Sequence, residues 1–300
     1  MRLSTFGTLA WFGLKTILFR QKKPILGTVI LTDRCNLKCR HCSVNNITST
    51  IHPYRQVKEE MATLYRMGVR ILFFCGGETF LWEDGGFTLR DLVKEAHAMG
   101  FLLVNVVTNG TFPIDLPEAD VILLSLDGDR ETHNLIRGDT YNRIMENIEN
   151  ATAGNIVLYM AINQVNKRSV AHVIGVAEKQ PNVKAVSFNF HTPYPDTAEL
   201  ALSQDDKEQC CRLIARKMDE GAPVFNLKSA FPYLVRNTFP TPCHQCLVIE
   251  DGKISVCGRC IDVPGRCEKC GYFFVAEYTL LFQGKLRIML DMLKTYLKYI

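Results

Sequence analysis

Short runs of apolar and β-branched residues alternate with longer amphipathic stretches between residues 25 and 222. This alternation is typical of βα units, in which parallel strands lie beneath a layer of helices. The runs that fit strands are residues 25–32, 70–74, 102–107, 121–126, 156–162 and 183–190. A closed barrel of this kind needs about eight strands, so we predict an α/β fold with a partial (β/α)6 TIM-type barrel.

Helices are predicted where apolar residues recur every three or four positions. In the stretch 54–67, for example, Val57, Met61 and Leu64 share one face. The other stretches with this period are residues 89–98, 141–150, 170–178 and 204–219. Each would cover one side of the sheet.

The composition changes after residue 222, where prolines and then cysteines become frequent. Residues 248–250 and 253–256 flank Asp251-Gly252, which favours a tight hairpin turn. We therefore divide the chain into a basic apolar N-terminal helix (1–23), a barrel (24–222), a small Cys-rich metal-binding module (223–274) and a C-terminal helix (275–300). In residues 285–300 the leucines at 286, 290, 293 and 297 share one face. This helix could dock on the barrel or on a membrane, and we expect it to dock on the barrel.

The charge is concentrated at the start of the chain. The 300 residues are 47% hydrophobic and 22% charged, as in ordinary globular proteins, which excludes a disordered, collagen-like or polytopic membrane protein. Residues 1–32 hold five basic side chains and no acid, and the rest of the chain is nearly neutral. This distribution argues against a nucleic-acid-binding face. It leaves two interpretations of the first helix, an in-plane membrane-surface helix or a cap on the base of the barrel.

Twelve cysteines are present, and most stand in C-x-x-C pairs. Two thiolates at this spacing suit a metal or an iron-sulfur cluster better than a disulfide framework. Since no export signal with a cleavage site is evident, we expect a cytoplasmic protein, with peripheral contact to the membrane as an open alternative.

Cys35, Cys39 and Cys42 follow directly after the first predicted strand. Three thiolates on one loop can hold three irons of a 4Fe-4S cluster and leave the fourth iron open to a small molecule. The alternative is a zinc site that His41 completes. Polar residues also follow the other strands, where the chemistry of such barrels gathers.

The spacing of Cys35, Cys39 and Cys42 resembles the signature of the radical S-adenosylmethionine (SAM) superfamily. The resemblance implies that the open iron chelates the methionine moiety of SAM, and that the reduced cluster cleaves SAM to a 5′-deoxyadenosyl radical. Gly76-Gly77-Glu78 is similar to the family motif that receives the SAM amino group, although Thr79 stands where a proline is frequent. Two glycines also permit close approach of a ligand to the backbone.

Further cofactor contacts are implied by the same resemblance. Ser125 and Asp127, followed by His133 and Arg137, are similar to a strand-four pattern of the peptide-maturase branch, where polar groups contact ribose and carboxylate. For Asn109, Asn163 and His191 two interpretations are open, either a hydrogen bond that holds a loop or a direct contact with the cofactor.

The C-terminal cysteines resemble the SPASM or shorter twitch extension, in which a hairpin supports auxiliary iron-sulfur clusters. These predicted ligands are Cys243, Cys246, Cys257, Cys260, Cys267 and Cys270. Six ligands are too few for two complete 4Fe-4S clusters, so we expect one auxiliary cluster, alone or with a partly ligated second one. Structural zinc is the alternative. Cys75, Cys210 and Cys211 are interpreted as packing residues.

The predicted function is reductive cleavage of SAM and abstraction of hydrogen from a peptide, protein or small molecule. The required partners are SAM, that substrate and an electron donor such as flavodoxin or ferredoxin. One alternative is radical modification of a lipid or isoprenoid at the membrane surface. An alternative of another class is a non-catalytic iron-sulfur or zinc protein.

Overall fold

The computed structural model describes residues 3–19, 23–42 and 48–299. Its strands are β1 (Leu26–Ile30), β2 (Ile71–Cys75), β3 (Glu83–Asp84), β4 (Phe87–Thr88), β5 (Leu103–Thr108), β6 (Val121–Ser125), β7 (Ile156–Ile162), β8 (Val183–Phe190), β9 (Cys246–Glu250) and β10 (Lys253–Val256). Its helices are α1 (Leu3–Leu18), α2 (Tyr54–Met67), α3 (Leu89–Met99), α4 (Arg130–Arg137), α5 (Tyr141–Glu149), α6 (Val170–Lys179), α7 (Gln204–Asp219), α8 (Phe231–Arg236), α9 (Phe273–Phe282) and α10 (Leu286–Tyr299).

The centre of the fold is an eight-stranded sheet with the order β10-β9-β1-β2-β5-β6-β7-β8, in which all strands but β10 run parallel to one another. The strands β1, β2, β5, β6, β7 and β8 are the six predicted ones, and each pairs in parallel with the next. Most of their apolar side chains form one core with the inner faces of helices such as α2, α3 and α6. A second, smaller cluster joins Val121, Val157 and Ala185 with Tyr299. The partial (β/α)6 barrel is therefore confirmed.

The Cys-rich hairpin is an extension of this sheet. Strand β9 pairs in parallel with β1, Leu26 lying opposite Cys246, and β10 pairs antiparallel with β9. Asp251 and Gly252 both have positive φ, as a tight hairpin turn between β9 and β10 requires. The boundary at residue 222 stays a prediction, but the hairpin continues the barrel sheet and does not form a sheet of its own.

Helix α9 was not predicted as a separate element, since most of its residues fall within the predicted C-terminal helix (275–300). Seven of its ten residues are buried, including Phe273 and Leu280. Its side chains Phe274, Glu277 and Tyr278 line the barrel interior together with residues of β1 and β8. A helix that is buried on several sides is apolar all round, so it lacks the period that marks an amphipathic helix.

Helix α10 docks on the barrel through the side opposite its row of leucines. Leu286, Leu290, Leu293 and Leu297 are the exposed side, with Leu286 68% exposed. The docked side carries Ile288, which is buried, together with Met292 and Tyr296, which line the barrel interior. The helix therefore docks on the barrel as expected. It has apolar residues on both sides, and its bulkier aromatic side, not its leucine side, fills the barrel.

Helix α1 packs at the base of the barrel, near the start of β1 and β2. Phe12 and Ile17 line a cavity of about 380 Å³ together with Ile25, Ile71 and residues of α9 and α10. Trp11 and Leu18 point away from it and are 58% and 67% exposed. One face of α1 thus caps the base, while the other lies open.

A buried carboxylate ties α9 to the sheet. Glu277 accepts hydrogen bonds from Leu227 N (2.9 Å) and Asn226 Nδ2 (3.3 Å). Asn226 in turn accepts a hydrogen bond from Phe188 N of β8 at 2.6 Å. Burial raises the pKa of Glu277 to about 7, because it outweighs these hydrogen bonds.

We expect Glu277→Gln to weaken the pH dependence of stability. The folded chain retains a proton that the unfolded chain loses near pH 4.5, so this group makes folding less favourable as pH rises from 4.5 through 7. Between pH 5.5 and pH 7.5 the loss is about 2 kcal/mol in the wild type, and the variant should not show it. Urea unfolding at both pH values measures this, with Glu59→Gln on the surface of α2 as the control. An identical slope in wild type and variant would contradict the prediction.

Candidate functional site

The carboxyl ends of the six barrel strands meet at one edge of the sheet, as expected for parallel strands. The loops that begin there carry the predicted residues. The loop after β1 holds Cys35, Cys39 and Cys42, and β2 leads into Gly76-Gly77-Glu78. Asn109 follows β5, Ser125 ends β6, and Asn163 and His191 follow β7 and β8.

The two glycines after β2 hold the backbone of the cysteine loop. Gly77 N donates to Thr32 O (2.7 Å), and Glu78 N donates to Arg34 O (2.9 Å). A Cβ atom on Gly76 would stand 2.2 Å from Thr32 O, and one on Gly77 would stand 2.2 Å from Arg34 O. The close approach that glycine permits is therefore made by the chain's own loop.

The carboxylate of Glu78 is fully buried and faces the loop after β5. It accepts hydrogen bonds from Thr108 Oγ1 (2.7 Å), Asn109 N (2.7 Å) and Phe80 N (3.1 Å). Burial raises the pKa of Glu78 in spite of these donors. The Glu78 carboxylate thus joins the ends of β2 and β5. Its contact with the amino group of the cofactor stays a prediction.

Asn109 holds the first cysteine. Its Nδ2 donates to Asn36 Oδ1 at 2.8 Å and lies 3.7 Å from Cys35 Sγ. Asn36 Nδ2 donates to Thr111 Oγ1 at 2.8 Å. Of the two interpretations of Asn109, the structure shows the loop-holding one, and a contact with the cofactor stays a prediction.

A buried ion pair holds the second cysteine. Asp127 is fully buried, and its two oxygens accept hydrogen bonds from Ala161 N (3.0 Å) and Arg137 Nε. Arg137 Nη1 lies 3.8 Å from Cys39 Sγ, and Nη2 lies 3.3 Å from His41 Nε2. Burial alone would raise the pKa of Asp127, but the Arg137 guanidinium holds it below its usual range.

The donor set fits an iron-sulfur cluster on this loop. Burial raises the pKa of Cys39 to about 11, so its thiolate form needs positive charge nearby, which Arg137 and bound iron would supply. In the described residues no three Cys, His, Asp or Glu side chains converge on a point where one ion would sit. A cluster takes one thiolate per iron and so accepts ligands that stand farther apart. His41 Nε2 faces Asp127 and Arg137, and its Nδ1 is buried without a hydrogen-bond partner in the described structure.

The barrel also matches a family profile. The profile of the "Radical SAM superfamily" covers residues 29–176, which span β1 to α6 and include the cysteine loop. The chain belongs to the radical SAM superfamily. Membership implies a 4Fe-4S cluster and SAM as cofactors.

Relatives of this radical SAM protein act on different molecules. It is 26% identical to the "Probable GTP 3',8-cyclase" of Methanocella arvoryzae over 253 residues, which cover 76% of this chain and 80% of that one. It is 25% identical over 201 residues to the "Antilisterial bacteriocin subtilosin biosynthesis protein AlbA" of Bacillus subtilis, over 62% of this chain and 44% of that one. Radical SAM relatives thus act on peptides and on small molecules.

A solved structure shows the same fold. Streptococcus suis SuiB bound to its precursor peptide SuiA superposes with a TM-score of 0.63 at 13% identity, over 93% of this chain and 71% of that one.

Among the helices of the described ranges, none combines the length and apolar character that crossing a bilayer requires.

The remaining predicted cofactor contacts have partners within the chain. Asn163 Oδ1 accepts from Val165 N (2.9 Å) and its Nδ2 donates to Ala161 O (3.2 Å), as in the loop-holding interpretation. His191 Nε2 lies 3.0 Å from Thr197 Oγ1, and its ring lies edge-on to His41 with the centroids 6.2 Å apart. His191 is thus adjacent to the cysteine loop, and the SAM contacts of these residues stay predictions.

The C-terminal cysteines form two adjoining groups. Cys243 Sγ and Cys246 Sγ lie 3.2 Å apart, and Cys257 N donates a hydrogen bond to Cys246 O at 2.9 Å. Cys257 also borders a small gap together with Cys267 and Cys270. The side chain of Cys260 lies outside what the structure describes. Cys257 is common to both groups, so five of the six predicted ligands gather in one region.

Some contributors were missed at the sequence level. Asn36 lies inside the cysteine motif, and Thr108 immediately precedes Asn109, so their positions were the available signal. His133 was named in the sequence as part of the strand-four pattern, but its contact was not foreseen: its Nδ1 accepts a hydrogen bond from Asp127 N at 3.1 Å and so holds the turn after β6. These residues position the site through backbone and side-chain hydrogen bonds that span different strands.

We expect Asp127→Asn to destabilise the protein by about 3 kcal/mol, because it leaves the buried Arg137 charge without its partner. Asp115→Asn is the matched control, since Asp115 pairs with Arg90 at 2.9 Å on the surface. Removing that exposed pair should cost at most about 1 kcal/mol. Urea unfolding under anaerobic conditions measures both effects. Equal losses of unfolding free energy in the two variants would contradict the prediction that the buried ion pair contributes more to stability than the exposed one.

Proposed function

We propose that this radical SAM enzyme binds its SAM-cleaving cluster at Cys35, Cys39 and Cys42 and abstracts hydrogen from a peptide or small molecule. The observation that carries the proposal is the support of this loop from three directions. Gly77 holds its backbone, Asn109 lies beside Cys35, and Arg137 lies beside Cys39. When bound and reduced, the cluster supplies the electron that cleaves SAM.

The chain's own residues would position and shield the reactants. We assign SAM to the edge formed by Gly76–Glu78, Ser125, Asn163 and His191, where backbone and side-chain groups converge. The buried positive charge of Arg137 would offset the negative charge of the cluster thiolates. A flavodoxin or ferredoxin is the proposed electron donor.

A second cavity at the barrel mouth suits a substrate. It has a volume of about 670 Å³ and lies between the loop after β8, the first turn of α7 and residues 263–269. We call it the mouth cavity; His191, Tyr194, Lys207, Arg236, Arg266 and Lys269 are among its lining residues. His191 lies next to the cysteine loop, so a substrate here would be close to SAM.

The C-terminal cysteines are proposed to hold one auxiliary iron-sulfur cluster. Cys257 is hydrogen-bonded to Cys246 and borders the same gap as Cys267 and Cys270, which supports a single site. Structural zinc remains the alternative, because paired C-x-x-C ligands suit both.

We expect the combined variant Cys35→Ala, Cys39→Ala, Cys42→Ala to lose 5′-deoxyadenosine formation and the iron of one 4Fe-4S cluster. Its matched control is Cys210→Ala, since Cys210 is buried in the side of α7. The 5′-deoxyadenosine formed by the anaerobically reconstituted protein with SAM and dithionite is quantified, and metal analysis measures the iron content of each variant.

Iron that stays in the triple variant would support the auxiliary cluster, and zinc would support the alternative. SAM cleavage by the triple variant at the wild-type rate would overturn the proposed cluster site. Absence of SAM cleavage in the fully iron-loaded wild type would favour the non-catalytic alternative.

We also propose that the base of the barrel, where α1 and α10 lie, contacts a membrane surface. Eight of the thirteen large apolar side chains that the described structure exposes belong to residues 11–19 and to α10. Residues 1–23 and 283–300 together hold nine basic residues and one acid, whereas the remaining 259 residues hold 26 basic and 30 acidic ones. An apolar face flanked by cations matches an anionic bilayer surface.

The cations on this face lie over aromatic rings. Lys15 Nζ is 5.0 Å from the centre of the Trp11 ring, and Lys298 Nζ is 4.9 Å from that of Tyr299. Long cationic side chains beside apolar groups reach the headgroup level when the apolar face is inserted. The relatives named above give no support to a lipid as the molecule that is modified, and the base lies opposite the cysteine loop. We therefore infer attachment to the membrane rather than lipid chemistry.

We expect the full chain to sediment with vesicles of mixed phosphatidylglycerol and phosphatidylcholine but not with phosphatidylcholine alone. Leu286→Gln with Leu297→Gln should lower the partition coefficient about 100-fold, since each leucine contributes roughly tenfold. Met67→Gln with Leu135→Gln, also exposed on helices, is the matched control. Absence of binding to anionic vesicles would refute the inference, as would a dimer that the leucine variant disrupts.

A further inference from the structure

The mouth cavity carries an excess of positive charge. Lys207, Arg236, Arg266 and Lys269 line it, and Glu268 is the carboxylate among its lining residues. In the described part of the chain none of these four cations forms an ion pair. Such a cavity has a positive potential that favours anions.

Arg266 is the least exposed of these cations. It is 5% exposed, and its guanidinium stacks on the Tyr194 ring with the carbon 3.9 Å from the ring centre. Its Nη1 is buried and has no hydrogen-bond partner in the described structure. A buried charged donor without a partner is costly, so a group that accepts its hydrogen bonds would bind with a substantial gain.

The planar guanidinium restricts the chemistry of that group. Arginine donates two parallel hydrogen bonds to a phosphate or carboxylate, and stacking on Tyr194 fixes the plane in which they point. Lys207 lies on the first turn of α7 with its Nζ 5.7 Å from the centre of the Phe190 ring, at the end of β8. Lys207 lines the same cavity as Arg266, so its charge adds to the positive potential there.

We propose that the mouth cavity binds an oxyanion of the substrate, a phosphate or a carboxylate, with Arg266 as the donor and Lys207 and Arg236 as supporting charges. This proposal depends on the proposed function in one respect, namely that the oxyanion belongs to the molecule from which hydrogen is abstracted. Arg266 precedes the predicted metal ligand Cys267 in the sequence. We nevertheless assign its side chain to binding of the substrate. The substrate class is thereby narrowed to anionic molecules.

The competing explanation is that Arg266 neutralises a metal site. Arg266 also borders the gap lined by Cys257, Cys267 and Cys270, and an iron-sulfur cluster there would be negatively charged. The two explanations predict different results for Arg266→Gln, because only the second one makes the auxiliary metal depend on this side chain.

The test is calorimetric titration of inorganic pyrophosphate and, separately, citrate into the anaerobic iron-loaded full chain. We expect saturable binding of at least one probe, weakened about 10- to 100-fold by Arg266→Gln and less strongly by Lys207→Gln. Arg66→Gln, on the exposed surface of α2, is the matched control and should bind as the wild type does. Tighter binding of pyrophosphate assigns the site to a phosphate, and tighter binding of citrate assigns it to a carboxylate.

Iron content and the electron paramagnetic resonance spectrum of each variant complete the experiment. Wild-type metal content in Arg266→Gln, together with weakened binding, supports the oxyanion site. Unchanged binding, binding of neither probe to the wild type, or loss of auxiliary iron with unchanged binding would overturn it. SAM cleavage without substrate is measured in parallel. Its absence would refute the proposed function and leave the binding result standing.

Discussion

The buried pair of Asp127 and Arg137 is the interaction on which the site depends. Asp127 accepts a hydrogen bond from Ala161 N of β7, and Arg137, the last residue of α4, lies beside Cys39. Two strands, one helix and the cysteine loop therefore meet at one carboxylate and one guanidinium. Such a pair is costly to desolvate and is stable only when its geometry is complete. The position of the second cysteine is thus coupled to the correct packing of the barrel's middle strands.

The cysteine loop is held mainly by backbone groups on its other side. Gly77 and Glu78 donate to Thr32 and Arg34, and the missing side chains of the two glycines allow this contact. The charged pair and the backbone contacts are complementary, because one fixes the loop near Cys39 and the other fixes it before Cys35. Asn109 adds a third point of support at Cys35 itself. A rigid loop of this kind favours a metal cluster with fixed ligand positions.

The strands and the amphipathic helices were predictable because each buries one side and exposes the other. Helix α4 was missed because its eight residues are largely polar, and α9 because it is apolar all round. The leucines of α10 form a regular stripe, yet the regularity of a stripe says nothing about which face is covered. The cysteine motif and the strand-end residues were readable from spacing. The missing partner of Arg266 was not, because it depends on what three distant segments place around the side chain.

Helix α10 also closes the barrel from below. Met292 and Tyr296 of α10 and Tyr278 of α9 separate the barrel interior from the cavity under α1, since they border both spaces. In the described part of the chain the base is thereby blocked by aromatic and sulfur-containing side chains, and the mouth is the open end. If two molecules bind one above the other in such a vessel, the deeper one has to enter first and leave last. For any such pair of molecules, the closed base would impose this order of binding and release.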